Sequence, residues 1–403
     1  MTGGSWARVP GSRTAERWLT RTGCRRVLAV VPHMTAGTRL ADVLPLLEAD
    51  HRVQVAFTIP DGPDTWPGVD EYLRRSGGLV LPWHQALRMR FDLALAASYV
   101  DIDKVDAPVM VLPHGTGGIR SRVSPQTVDV IPGHPRDLLV RDGRVVPEAV
   151  VFAHEDDAQR MRRAFPEAAS RVVVAGDVCY DRIRASMPLR LRYRDAAGVE
   201  AHQKLVMVSS TWSQHSLFGG NLDLITRLAT CLPRHEYQVM VALHPLTWSA
   251  HGARQVRAWL AEALEAGIRL LPPDEGWRAA LVASDCVIGD HGSVTQYAAG
   301  LGRPVLLNPG SALDVRKGSL AGRLWKVAPV LDPARPLRTQ VEDLVAACPR
   351  RRLAAIEKRI TSMPGGAGVR LREEIYRILG IREPDRPVRA APVPLLTRES
   401  PGI

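Results

Sequence analysis

Residues 281–310 read LVASDCVIGDHGSVTQYAAGLGRPVLLNPG. A short apolar run, CVIG at 286–289, leads into Asp290-His291-Gly292-Ser293, then a helical stretch closed by glycine, then a second apolar run, PVLL at 304–307. Strand, loop and helix start follow one another here. The first N–H groups of a helix are unpaired and carry partial positive charge, so such a junction can accept a diphosphate without a long basic side chain. Gly292 lets a ligand approach the backbone, and Ser293 adds a hydroxyl donor. No Lys or Arg stands between Asp290 and Ala299. The same residue types also suit a plain junction, with Ser293 as helix cap and Asp290 as turn residue.

Outward from this junction, KLVMVSS (204–210), YQVMVAL (237–243) and IRLL (268–271) are further strands, separated by helical stretches near 219–231, 251–265 and 276–283. An earlier series comprises RRVLAVV (25–31), RVQVAFT (52–58), DLALAAS (92–98), APVMVLP (107–113), EAVVFA (148–153) and RVVVAG (171–176). Nearly continuous apolar runs alternating with amphipathic stretches predict parallel strands buried on both faces and joined by helical crossovers. Pro125, Pro132, Pro135 and Pro147 break periodicity between 120 and 147, a region of loop and short hairpin. Residues 185–203 are charged and lack a strand pattern, which predicts a domain connection. Helical periodicity takes over from about 338, and the end is Pro-rich. No repeat of fixed period is present.

The expected division is a basic extension at 1–24, an acceptor-side α/β domain at 25–190, a donor-side α/β domain with closing helices at 191–380, and an extended Pro-rich tail at 381–403. The fold class expected is α/β, two Rossmann-like domains facing across a cleft, with C-terminal helices. In such sheets ligands sit beyond the carboxyl ends of the strands, so the loops there carry the chemistry.

The length of 403 residues suits two domains, since single cores rarely exceed about 250–300 residues. Lys and Arg number 53 against 42 Asp and Glu, a net charge of +11 that favours anionic partners. Nucleic acid is not the partner expected, because aromatics are only 5% and no recognised binding motif accompanies the basic residues. The apolar runs fall far short of the roughly 20 residues that span a bilayer, and no secretory signal opens the chain, so a cytoplasmic location is expected. Peripheral contact of the basic N-terminal stretch, Arg8 to Arg26 with Trp6 and Trp18, with the inner membrane face stays open. Five scattered cysteines form neither a disulfide framework nor a thiolate zinc site. GxGxxG and GxxxxGK[ST] are absent, which argues against dinucleotide redox chemistry and P-loop hydrolysis.

The string SDCVIGDHGSVTQYAAGLGRPVL resembles the nucleotide-diphosphate segment of the CDP-glycerol glycerophosphotransferase family, the teichoic-acid polymerases. The resemblance rests on Ser284, Asp285, Asp290, His291, Ser293, Gly302, Pro304 and Val305, with Gly292 where that family usually has serine. VLPHGTGGIR (111–120) is similar to the family's W-H-G-T segment with Pro113 in place of Trp. VVVAGDVCYDRI (172–183) is similar to its G-x-P-R-x-D segment, with Val178 and Cys179 departing, and also to UDP-N-acetylglucosamine 2-epimerases. VMVSSTWSQHSLFGG (206–220) and LHPLTW (243–248) follow in the same order. The resemblance implies a GT-B fold, a CDP- or UDP-linked donor, a hydroxyl acceptor and a base at His114.

His114 has a case of its own, since an imidazole after a Val-rich strand and before a Gly-rich turn at Gly115 can take a proton from an attacking hydroxyl. His244, after YQVMVAL, could contact donor phosphates and steady the leaving nucleotide, and Ser210 and Thr211 could donate to phosphate; packing and turn roles compete in each case. His33, Thr35 and Gly37 open the helix after the first strand and form an acceptor-side candidate, against the reading of a simple capped helix. Asp101 and Asp103 have D-x-D spacing but sit in a polar turn before Lys104, so no metal or cofactor is expected. His154-Glu155-Asp156-Asp157 reads as a helix start. A metal-independent transferase of glycosyl or polyol-phosphate groups is the function expected, with a nucleotide-sugar 2-epimerase or hydrolase, and a non-catalytic nucleotide-binding relative, as alternatives.

Overall fold

The fold is known from a computed structural model, which describes residues 20–116, 134–347 and 350–396. The chain forms two compact units. Of the described residues, 20–115, 134–178 and 362–389 make the first, and 116, 179–347, 350–361 and 390–396 the second.

The first unit contains β1 (Arg25–Val30), β2 (Val53–Thr58), β3 (Val80–Leu81), β4 (Leu93–Ala96), β5 (Val109–Val111), β6 (Val140–Arg141), β7 (Arg144–Val145), β8 (Ala149–Phe152) and β9 (Val172–Val174). Seven of these form one sheet in the order β3-β2-β1-β4-β5-β8-β9, every pair parallel. The apolar runs are continuous because both faces are covered. Along β1, Val27 and Ala29 enter one core cluster while Leu28 and Val30 enter another. The remaining pair, β6 and β7, is an antiparallel hairpin turning on Asp142 and Gly143, both at positive φ. That is the two-residue turn whose twist matches paired strands. The two-residue β3, between Gly77-Gly78 and Pro82, is too short to leave a periodic signal.

The second unit holds β10 (Lys204–Ser210), β11 (Tyr237–Leu243), β12 (Arg269–Leu270), β13 (Cys286–Gly289) and β14 (Val305–Leu307), in the order β12-β11-β10-β13-β14 and wholly parallel. Leu205 and Met207 of β10 face one cluster, Val206 and Val208 the other.

Three segments differ from the sequence expectation. Residues 185–203 are a folded part of the second unit, with a helix over Arg190–Ala196 and Tyr193 buried. Their charges turn inward: Arg190 and Arg194 each donate to Asp285 at 2.9 Å, and Asp285 also accepts the Leu205 N–H at 2.8 Å. The helix Ala367–Leu379 belongs to the first unit, where Leu371, Ile375 and Tyr376 join the core and Tyr376 donates to Asp50 at 2.8 Å. The tail is extended as far as Leu396, but Val393 and Leu396 are buried in the second unit, and Tyr193 donates to the Val393 carbonyl at 2.5 Å. Trp6, Arg8, Trp18 and all of the 120–133 stretch lie outside the described residues.

Candidate functional site

In the second unit the register places Ser210 beside Leu243, Ser209 beside Gly289, and Gly289 beside Leu307. Four strands therefore end level, and the loops opening at Thr211, His244, Asp290 and Asn308 emerge along one sheet edge.

Asp290 binds the protein's own backbone and hydroxyls. Its carboxylate is fully buried and accepts the Thr211 N–H at 2.7 Å, the Thr211 hydroxyl at 2.9 Å, the Ser210 hydroxyl at 3.2 Å, the Leu217 N–H at 3.2 Å and the Gly292 N–H at 2.9 Å. It ties the β10 loop to the β13 loop and has no face left for a phosphate, which corrects the expected ligand role for Asp290. Ser210 is buried as well, accepting the Phe218 N–H at 2.8 Å, so it shapes the same loop. Gly292 is required by crowding: a Cβ there would lie 2.7 Å from Cγ2 of Thr211 and 3.1 Å from Oδ1 of Asp290.

Helix Ser293–Gly300 starts with Gly292 at the cap position and no side-chain cap bond. Ser293 is thus the first helical residue and not the cap. Its hydroxyl accepts the N–H of Thr116, which clusters with this unit, at 3.3 Å and lies 3.3 Å from the Thr116 hydroxyl oxygen. The Thr116 hydroxyl donates to Oε1 of buried Gln296 at 2.7 Å, and Gln296 donates to the His291 carbonyl at 2.8 Å. The His291 ring is buried, and its Nδ1 has no hydrogen-bond partner among the described residues. At the neighbouring strand, His244 caps helix Pro245–His251, Nδ1 accepting the Leu246 N–H at 3.1 Å. In a neutral ring the proton is then on Nε2, a donor suited to a phosphate oxygen.

Sequence reasoning missed His215 and Asp314. His215 Nδ1 lies 3.0 Å from Oδ1 of Asp314, which also accepts the Ser213 hydroxyl. Burial pushes the Asp314 carboxyl upward, but the bonds from Ser213 and His215 prevail and hold it below the usual carboxylate range. Ser311 donates to the His215 carbonyl at 2.8 Å, so the loop after β10 is pinned to the segment after β14. The residues are far apart in sequence, and the only available signal was a histidine in a loop already placed after a strand.

In the first unit the strand ends are level too, with Val30 beside Thr58 and Ala96, Thr58 beside Leu81, and Ala96 beside Val111. His33 and His114 stand on this edge with ring centroids 5.9 Å apart, edge to face. His33 caps helix Met34–Val43 by accepting the Ala36 N–H at 3.1 Å. Burial, then the neighbouring His114, lowers its pKa to about 3, so it is neutral. His114 is exposed, and its Nδ1 lies 3.1 Å from the Ala97 carbonyl oxygen. A carbonyl only accepts, so Nδ1 carries the hydrogen and a neutral ring keeps its lone pair on Nε2. Gly115 follows, half-buried. Thr35 has a buried hydroxyl oxygen without a hydrogen-bond partner among the described residues. Gly37 serves packing, since a Cβ there would meet the Tyr72 ring at 2.8 Å; the expected acceptor contact at Gly37 is replaced by this close approach.

Asp101 pairs with Lys104 at 2.7 Å and Asp103 with Arg141, so the D-x-D carboxylates are matched by protein cations. Among the described residues no group of three or more His, Cys, Asp or Glu is placed to hold a metal ion, and no helix is long and apolar enough to cross a membrane.

Two Rossmann-like units, each a parallel sheet flanked by helices, make this a GT-B-like fold. No protein-family model and no curated protein matches the sequence. Among solved structures, a variant of the wall teichoic acid polymerase TagF soaked with CDPG is similar over 89% of this chain and 90% of its own, with TM-score 0.61 and 14% identity. The UDP-GlcNAc 2-epimerase from Neisseria meningitidis bound to UDP-GlcNAc is similar over 88% of this chain and 100% of its own, with TM-score 0.57 and 14% identity. The likeness is one of fold.

Proposed function

We propose that the protein is a metal-independent transferase that moves a glycosyl or polyol-phosphate group from a CDP- or UDP-linked donor to an acceptor hydroxyl. The donor binds to the second unit and the acceptor to the first. The observation that carries this reading is the His114 tautomer: with Nδ1–H committed to the Ala97 carbonyl, the exposed ring offers Nε2 as a base. Neutral His33 beside it adds no competing positive charge. On the donor side the uncapped start of helix Ser293–Gly300 and the Nε2–H of His244 supply donors along one strand edge, with Thr211 holding the adjoining loop through Asp290.

The acceptor O–H proton passes to His114 Nε2 as the acceptor oxygen bonds to the donor's anomeric carbon or phosphorus. The bond from that atom to the departing phosphate oxygen breaks, and its electron pair stays on the nucleotide. Similarity in fold to a polymerase soaked with CDPG and an epimerase bound to UDP-GlcNAc supports a nucleotide-activated donor. Paired Asp101 and Asp103 support phosphate neutralisation by protein donors.

The test is to screen CDP-, UDP-, GDP- and dTDP-linked compounds for thermal stabilisation, then to follow turnover of the binder in wild type and His114→Ala. Loss of turnover with donor binding retained is expected. Undiminished turnover by folded His114→Ala would remove the base assignment, and an epimerised donor formed without acceptor would favour the epimerase reading.

A further inference from the structure

The first unit holds a cavity of about 580 Å³ that no expected site residue lines. Its walls come from the segments just after β2 and β3, among them Pro60, Asp61, Trp66 and Trp83. Because Thr58 pairs with Leu81 and with Val30 in register, the cavity opens on the same carboxyl edge as His33 and His114. Trp66 joins them: it lines the cavity, and its ring lies 4.7 Å from that of His33, whose own neighbour is His114.

The wall is built to stay in place. The Trp66 N–H donates to the Pro32 carbonyl at 3.0 Å, and the Thr65 hydroxyl donates to the Pro60 carbonyl at 2.5 Å. Trp83 is buried at 6% exposure. Indole and proline faces offer flat, weakly polar surfaces to the C–H face of a ring. Charge decides which ring. Lining residues include Asp61, Asp70 and Arg74, and the Arg74 guanidinium is already held by Asp70 at 2.8 Å. In a chain of net charge +11, this cavity has more carboxylate than cation. A phosphate group would meet Asp61 with no uncommitted lining cation, whereas sugar hydroxyls can donate to that carboxylate.

We infer that this cavity is the acceptor subsite and that it takes a neutral carbohydrate ring, stacked on Trp66 with hydroxyls to Asp61, and not an anionic polyol phosphate. The inference rests on the transferase reading above and narrows it: the surplus positive charge serves the donor or another surface, and the acceptor is an uncharged glycan.

The experiment is calorimetric titration of the whole chain with cellobiose, lactose and chitobiose, and separately with sn-glycerol 3-phosphate. Binding of at least one disaccharide and none of the phosphate at the same concentration is expected. Trp66→Ala should weaken that binding by about tenfold or more, Trp66→Phe by no more than about threefold, because a ring face is kept. Asp61→Lys, at an exposed position, should reduce disaccharide binding and admit the phosphate. Tighter binding of sn-glycerol 3-phosphate, no disaccharide binding, or disaccharide affinity indifferent to Trp66→Ala would each overturn the inference. Donor binding is scored on its own: its absence with disaccharide binding intact strikes the transferase reading and leaves the cavity as a site for a neutral carbohydrate ring, no longer an acceptor subsite.

Discussion

Oδ2 of Asp290 lies 2.7 Å from the backbone nitrogen of Thr211 and 2.9 Å from its hydroxyl, which joins the loops after two neighbouring strands through one buried carboxylate. The segment that resembles a phosphate-binding motif is thus held in shape by the residue that looked most like a ligand. Removing a buried acceptor leaves its donors unsatisfied, at about 1–3 kcal/mol each. Asp290→Ala should therefore destabilise the second unit by about 3 kcal/mol or more, read as a lower urea midpoint at unchanged slope. Asp290→Asn, which keeps one acceptor oxygen, should cost less. Equal stability of Asp290→Ala and wild type would refute the structural role.

A second prediction concerns His215 and Asp314. If the donor occupies the strand edge of the second unit, a ring fixed by a carboxylate at 3.0 Å is a ready contact for phosphate. Asp314→Asn should weaken binding of the donor identified by thermal shift by about tenfold, the worth of one charge-assisted bond, while leaving the melting temperature of the unliganded protein within a few degrees. Unchanged affinity would confine the pair to loop packing.

Acid should loosen the first unit before its carboxylates titrate. His33 is lowered to about 3 by burial and then by His114, and His134 to about 4 by burial, then by His114 and against Asp157. Both are neutral in the fold, yet each binds a proton in the unfolded chain below its ordinary value of 6.5. The unfolded state therefore holds more protons as pH falls from 6.5 to about 3–4, and stability declines across that window, at about 1.4 kcal/mol per unit for each group. Denaturation midpoints at pH 7.5, 6 and 5 would show it, and His134→Gln should flatten the slope. A midpoint independent of pH over that range would contradict the buried neutral rings.

Asp285, largely shielded from solvent, receives Arg190 and Arg194 at 2.9 Å each and the Leu205 N–H at 2.8 Å. Removing one partner of a buried pair costs about 3–5 kcal/mol, because the other charge stays desolvated. Arg194, more deeply buried than Asp285, should show this most clearly: Arg194→Ala lowers stability by about 3 kcal/mol, whereas the more exposed Arg190→Ala costs about 1 kcal/mol. Similar small losses for both would mean that residues 185–203 behave as the loose connection their charge content first implied.

Continuous apolar runs ending in Gly, Ser, His or Pro were enough to place nearly every long strand, because a strand covered on both faces has no polar alternation to hide it. The same runs made the α/β class and the two parallel series legible, and His33, His114 and His244 were found simply because they follow strands. The two-residue β3 and the inward-turned charges of Arg190 and Arg194 were not legible. A two-residue strand carries no period, and β12 was legible only through its apolar run at 268–271, while an arginine reads as solvent-facing until its carboxylate partner is known.

The sequence alone determined which segments could be strands and which loops stand at their carboxyl ends, since both follow from local apolar pattern and chain order. Tertiary structure decided what those loops do. It alone buried Asp290 among its own backbone donors, brought Asp314 to His215 from 99 positions away, set the His114 hydrogen on Nδ1 through the Ala97 carbonyl, and formed an open cavity between the segments after β2 and β3. Each is a contact between residues distant in the chain, and no local propensity encodes which distant partner a side chain meets.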